Sequence, residues 1–178
     1  VWVNGRWHYL GACEPEPELN RGWFSGPASR AMLVHTTVYG QYHGPEEIIT
    51  RSELFTRLNL LTFYAPTAKL KVQVKDTEGQ PVPAASVDFC LYNYAEFYPL
   101  VSHLTDEKGE ASLTTGFGDL VIWAEKDGRM AWRQVSGGQT GPVELVLSST
   151  ELSGEEADLD LIPPAARNVP PLDPAKVE

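Results

Sequence analysis

"KLKVQVKDTEGQPVPAASVDFCLYNY", Lys69 to Tyr94, is the stretch on which the fold turns. Leu70, Val72 and Val74 alternate with Lys69, Lys71, Gln73 and Lys75. That period of two marks a strand with one buried face and one wet face. "DTEGQPVP" then supplies turn residues, and Val87, Phe89 and Leu91 resume the alternation. Downstream the pattern repeats. Turns at "DEKG", "GFGD" and "EKDG" separate apolar runs, and Val143, Leu145 and Leu147 close the series. About seven short strands spaced by roughly 8 to 12 residues predict a mainly β, antiparallel, seven-stranded sandwich over 68–149.

Upstream, residues 1–67 mix strand-like runs ("WHYLGA", "AMLVHTTVYG", "EEIITRS") with turns. "SGPASRAM" predicts a short helix with Ser25 near its N-cap. The segment is short for a core of its own. "VWVNGRWHYL" opens in the middle of a strand pattern, which predicts a chain that continues upstream of Val1. Downstream, residues 150–178 are acidic and proline-rich and read as an extended linker or tail. Seven acids against two bases from Glu151 onward account for half of the net charge of −10. The net charge of −10 argues against a nucleic-acid surface, which needs clustered Lys and Arg, although its concentration in the tail says little about a ligand. No apolar run approaches the roughly 18 residues of a membrane helix. Two cysteines are too few for a disulfide framework or a zinc cluster.

Two stretches together resemble a known family. "WVNGRWHYLGACEPEPELNRGWF" is similar to the end of the core of bacterial, Bacteroidetes-type transglutaminase-like proteins, which are papain-related cysteine enzymes. "VWVNGRWHYL" looks like the hairpin that follows the family's catalytic histidine. The sandwich, with "DTEGQPVPAASVDF" and "TDEKGEASL", is similar to prealbumin-like or carboxypeptidase-regulatory-like modules appended to such cores. The resemblance divides the chain into the terminal strands of an α+β core (1–30), a connecting β-rich segment (31–67), the Ig/prealbumin-like sandwich (68–149) and the tail (150–178). It implies an extracytoplasmic protein, periplasmic or cell-surface, whose upstream catalytic core attacks peptide or protein amide bonds through a Cys-His-acid mechanism, without a cofactor. Nucleophile and histidine would both precede Val1, so this chain alone is expected to be inactive. The family's acid falls four residues after the hairpin tryptophan, at Gly11 here. Glu14 is the nearest carboxylate able to orient a histidine in its place. The alternative for "EPEP" is a proline-stiffened turn with solvated glutamates. Trp7, Trp23 and Phe24 would line the substrate.

The other reactive side chains point to ordinary roles. Cys13 and His8 lie an odd number of residues apart and would face opposite sides of one strand, leaving Cys13 a buried, inert thiol. His35, His43 and His103 are isolated, and no pair has the spacing of a metal site, so no metal is expected. "TGFGD" and "SGGQTG" join strands and are hairpin turns rather than phosphate loops. The remaining cluster is "LYNYAEFYPL". Phe89, Leu91 and Asn93 share one strand face and Cys90, Tyr92 and Tyr94 the other, so at least two tyrosines point away from the core. Tyr92, Tyr94, Glu96 and Tyr98 then form an interdomain contact, the favoured reading, or a loop that binds peptide or glycan. A rival to the enzyme fragment is therefore a non-catalytic binding or scaffolding module.

Overall fold

The computed structural model describes residues 1–22, 24–139, 141–148 and 158–164. Trp23 and the side chain of Trp7 lie outside the described residues. The chain begins with a minimal hairpin of β1 (Trp2–Val3) and β2 (Arg6–Trp7), followed by the one-turn helix α1 (Ser25–Ala28). A first sheet uses β3 (His35–Tyr39), β4 (Glu47–Arg51) and β5 (Phe55–Asn59), with β5 at its centre. Then come β6 (Ala68–Lys75), β7 (Ser86–Asn93), β8 (Glu96–Leu104) and β9 (Glu110–Thr115). The series ends with β10 (Leu120–Lys126), β11 (Arg129–Val135) and β12 (Pro142–Val146).

The molecule is mainly β and its sheets are dominated by antiparallel pairs. The alternation in the opening stretch holds: Leu70, Val72, Val74, Val87 and Phe89 are all at most 1% exposed. One sheet runs β11-β10-β7-β8 and a second runs β12-β6-β9. Inward residues of both, from Val72 and Leu113 to Phe89, Ile122 and Leu145, belong to a single buried cluster, which gives a sandwich-like arrangement. One pairing departs from the expected antiparallel pattern. β12 lies parallel to β6, Val143 opposite Val72 and Leu145 opposite Val74. The chain crosses from the β11-β10-β7-β8 sheet to the β12-β6-β9 sheet between β11 and β12, so no hairpin constrains its direction.

The turns "DTEG" and "DEKG" are two copies of one device. Asp76 Oδ1 accepts the N–H groups of Glu78 and Gln80, and Asp106 Oδ1 those of Lys108 and Glu110. Each copy ends on a glycine at positive φ, Gly79 at 80° and Gly109 at 73°, where a Cβ would be strained. At Gly109 it would also meet Val74 O at 2.5 Å.

Residues 31–67 reach the sandwich core through Met32 and Ile49, while Leu58, Leu60, Leu61 and Ala65 are buried outside that cluster. β4 carries a bulge between Ile48 and Thr50. Ile49, the extra residue, turns its side chain into the main cluster. Its carbonyl, released from the ladder, meets His103 Nε2 at 3.2 Å, while His103 Nδ1 faces Ser112 O at 3.0 Å. Asn59 closes the joint. Its Nδ2 donates to Glu47 Oε2 and to Thr114 O, both at 2.7 Å, and its Oδ1 accepts the Leu61 N–H at 3.0 Å. Glu47 in turn accepts the Thr114 N–H at 3.1 Å. Both donors and one lone pair of the oxygen of a nearly buried amide are used.

Replacing Asn59 by Ala leaves Thr114 O and a Glu47 oxygen without that donor, and should lower unfolding stability by about 2–4 kcal/mol in urea titrations. Asn59→Asp should cost more at pH 7 than near pH 4. Two ionised carboxylates then face each other at neutral pH, and protonation in acid restores an O–H donor.

Candidate functional site

The sequence singled out two regions, and the structure separates them in character. In residues 1–30, Asn4 and Gly5 take φ of 52° and 76°, the two positive angles of a type I′ hairpin turn, and pair Trp2 with Trp7. The strand ends at Trp7. Tyr9 then anchors the segment: it is buried, its ring stacks 4.6 Å from Tyr64 and lies 5.3 Å from Phe24. Its hydroxyl is 2.9 Å from Ser25 Oγ, so Ser25 serves Tyr9 from inside α1 and Phe24 is the N-cap. Burial, with Tyr9 beside it, pushes the Tyr64 hydroxyl above its ordinary value.

Beyond Gly11 the chain leaves the body. Cys13 is exposed, which corrects the expectation of a buried thiol. The alternation argument assumed a strand through His8 to Cys13, whereas pairing stops at Trp7 and two X-Pro steps hold the next turn off the surface. Glu14 is exposed as well. His8 instead faces Asn20, Nδ1 to Nδ2 at 3.1 Å, and Asn20 Oδ1 accepts the Tyr9 N–H. Phe24 is tied into the packing around Tyr9.

The aromatic cluster is built differently. β7 and β8 meet in a two-residue hairpin turn in which Tyr94 and Ala95 carry φ of 50° and 63°. Asn4-Gly5 and Asp127-Gly128, at 52° and 76° and at 52° and 74°, form the same kind of turn with residues that tolerate it. Tyr94-Ala95 does not, and a bulky residue there is strained. Tyr94 is 94% exposed, Tyr98 61% and Tyr92 51%, and Glu96 is exposed beside them. The tyrosines do point away from the core, as the strand parity requires. Tyr94 and Tyr98 stand in solvent rather than against residues 1–67.

Below this tip the outer face of the sheet forms a groove of about 500 Å³. Its floor is two cross-strand rows: Pro99, Cys90 and Val121 in one, Asp88, Trp123 and Trp132 in the next. Phe97 and Leu159 flank it. Trp123 and Trp132 were not singled out by sequence reasoning. The available signal was "LVIWA", Leu120 to Ala124, an unbroken apolar run of the kind found in strands buried on both faces. Cys90 sits in the floor, and burial, helped by the Asp88 charge, pushes its thiol up to about 11. Leu159 belongs to Asp158–Pro164, the described part of the expected tail, which lies on this same sheet. Among the described residues no group of three or more His, Cys, Asp or Glu is placed to hold a metal ion, and no helix is long and apolar enough to cross a membrane.

No family model matches the chain, and no curated protein matches it. Among solved structures it is similar to catechol 1,2-dioxygenase from Acinetobacter sp. ADP1, in the form inhibited by bound mercury, with a TM-score of 0.34 and 13% identity. The match covers 53% of this chain and 57% of that one, so the chain spans little more than half of its length. A likeness at this level assigns neither fold nor chemistry.

The two thiols should separate cleanly. At pH 8 iodoacetamide should label Cys13 and leave Cys90 untouched, because a thiol at about 11 is ionised to only about one part in a thousand there. Peptide mapping checks this; equal labelling would mean that Cys90 is open to solvent.

Proposed function

We propose that this chain is a non-catalytic binding module, of extracytoplasmic setting, that takes an extended peptide along the aromatic outer face of the β11-β10-β7-β8 sheet. The observation that carries the reading is the turn at Tyr94-Ala95. Two hairpins of this chain use Asn-Gly and Asp-Gly where both angles are positive, whereas the third holds a strained tyrosine out in solvent. Strain retained at an exposed aromatic is what a recognition residue leads one to expect. The groove beneath offers Trp, Phe, Pro and Val surfaces with Asp88 as its charged member. That balance suits apolar side chains better than sugar hydroxyls, which need many fixed polar partners. On this reading residues 68–149 are an Ig/prealbumin-like sandwich of seven strands.

A second reading keeps the module attached to a transglutaminase-like core acting on peptide amide bonds, with residues 1–30 as that core's last strands. The hairpin of Trp2 and Trp7 around Asn4-Gly5 favours it. Glu14 would serve as its acid only if an upstream histidine came to it, since within this chain it faces solvent.

The double substitution Tyr94→Asn, Ala95→Gly tests the first reading. It should raise stability by about 1–2 kcal/mol by relieving the turn. The same change should weaken binding of leucine- or phenylalanine-bearing heptapeptides at least tenfold, followed by tryptophan fluorescence, with Trp123→Ala losing binding similarly. A variant that is stabilised yet binds peptides unchanged would sink the reading, as would binding of oligosaccharides but not peptides.

A further inference from the structure

Residues 158–164 reach the sheet without joining it as a strand, and the way they are held is informative. Asp119, 4% exposed, is the centre of the seat. Its N–H donates to Ile162 O at 2.9 Å and its Oδ2 accepts the Ile162 N–H at 3.1 Å, so both main-chain groups of one residue are read together. Its Oδ1 accepts the Gly137 N–H at 3.0 Å, which fixes the carboxylate in place before any segment arrives. Gln134 Nε2 donates to Asp160 O at 2.8 Å. These contacts touch only the main chain of the segment and place no demand on its side chains. Selection comes from alternate positions. Leu159 and Leu161 are half-buried while Asp158 and Asp160 are exposed. Leu159 enters the wall of the groove, and Leu161, Ile162 and Pro163 close a smaller cavity of about 190 Å³ with Leu91 and Tyr92.

We infer that this seat is an exchangeable peptide site, and that its external partner is an extended segment of the same chemistry as the occupant: leucines two residues apart followed by Ile-Pro-Pro. The inference rests on the peptide reading of the sheet face and names the ligand class and its built-in competitor. The groove already runs past Leu159 toward Trp123 and Trp132, so a longer partner covers both the seat and the aromatic floor. Tethering keeps the chain's own segment at an effective concentration on the order of millimolar. A free peptide therefore reaches the seat at Asp119 only when that segment is weakened or outcompeted, while the aromatic half of the groove stays open to it.

The test uses the full chain and a fluorescent peptide, Asp-Leu-Asp-Leu-Ile-Pro-Pro, followed by anisotropy. Against Leu159→Ala/Leu161→Ala the peptide should bind at least tenfold more tightly than against the unsubstituted chain, and Leu159→Ala alone should give a smaller gain. The single Leu159 change weakens only the tethered segment and guards against a double variant that fails to fold. Equal affinity across the three proteins, or none, overturns the inference. If the leucine and phenylalanine peptides of the preceding test still bind in that case, only the displacement fails; if they too are silent, the peptide reading fails with it. A dimer of the unsubstituted chain that the leucine substitutions abolish would assign the seat to a second copy and overturn the partner peptide.

Discussion

The amide of Asn59 is the point where three pieces of backbone are made into one body. It ends β5, reaches across to β4 through Glu47, to β9 through Thr114, and back to the main chain at Leu61. A buried amide with an unfilled valence is costly, so each partner must be in position before the others are worth having. The bulge at Ile49 adds to the same joint. It spends one residue of β4 to turn an isoleucine into the sandwich core and a carbonyl toward His103. A neutral imidazole can donate to only one of the two carbonyls it faces. Those contacts tie residues 31–67 to the sandwich.

With the inner faces committed to one core, what distinguishes this molecule is its outer face. In most antiparallel sheets with one wet side the outward positions are polar. Here Cys90, Val121, Trp123 and Trp132 occupy them, and Cys90 and Val121 are themselves buried. Part of that cover comes from the chain's own Asp158–Pro164. The remainder is an open groove that reaches Phe97 at the turn end of β8. Covered and uncovered halves lie side by side on one surface.

The hairpin turns show how local and functional demands compete. Asn4-Gly5 and Asp127-Gly128 take the angles that a right-handed pair of strands requires, with residues suited to them. Tyr94-Ala95 takes the same angles with residues that resist them. The strand pairing from Asn93 opposite Glu96 down to Phe89 opposite Val101 overdetermines the turn and carries the strain.

Alternating valines and leucines and the Asp-x-x-Gly turns were enough, read as sequence, to determine a mainly β chain, the inward faces of its strands and the outward direction of Tyr92 and Tyr94. Those are local properties: period two and φ-specific turns are written within ten residues of each other. Sequence reasoning overlooked β5, because "FTRLN" is interrupted by polar residues that find partners only in the fold, Thr56 at Gly40 O and Asn59 at Thr114 O, 55 positions away. It buried Cys13, because periodicity cannot say where pairing stops. It also passed over Trp123 and Trp132, since whether an outward tryptophan is core, rim or site depends on what lies above it. The parallel seat of β12, the joint at Asn59 and the docking of Asp158–Pro164 were decided by tertiary structure alone. Each joins groups that the sequence keeps far apart, and their energies exist only once both sides are in place.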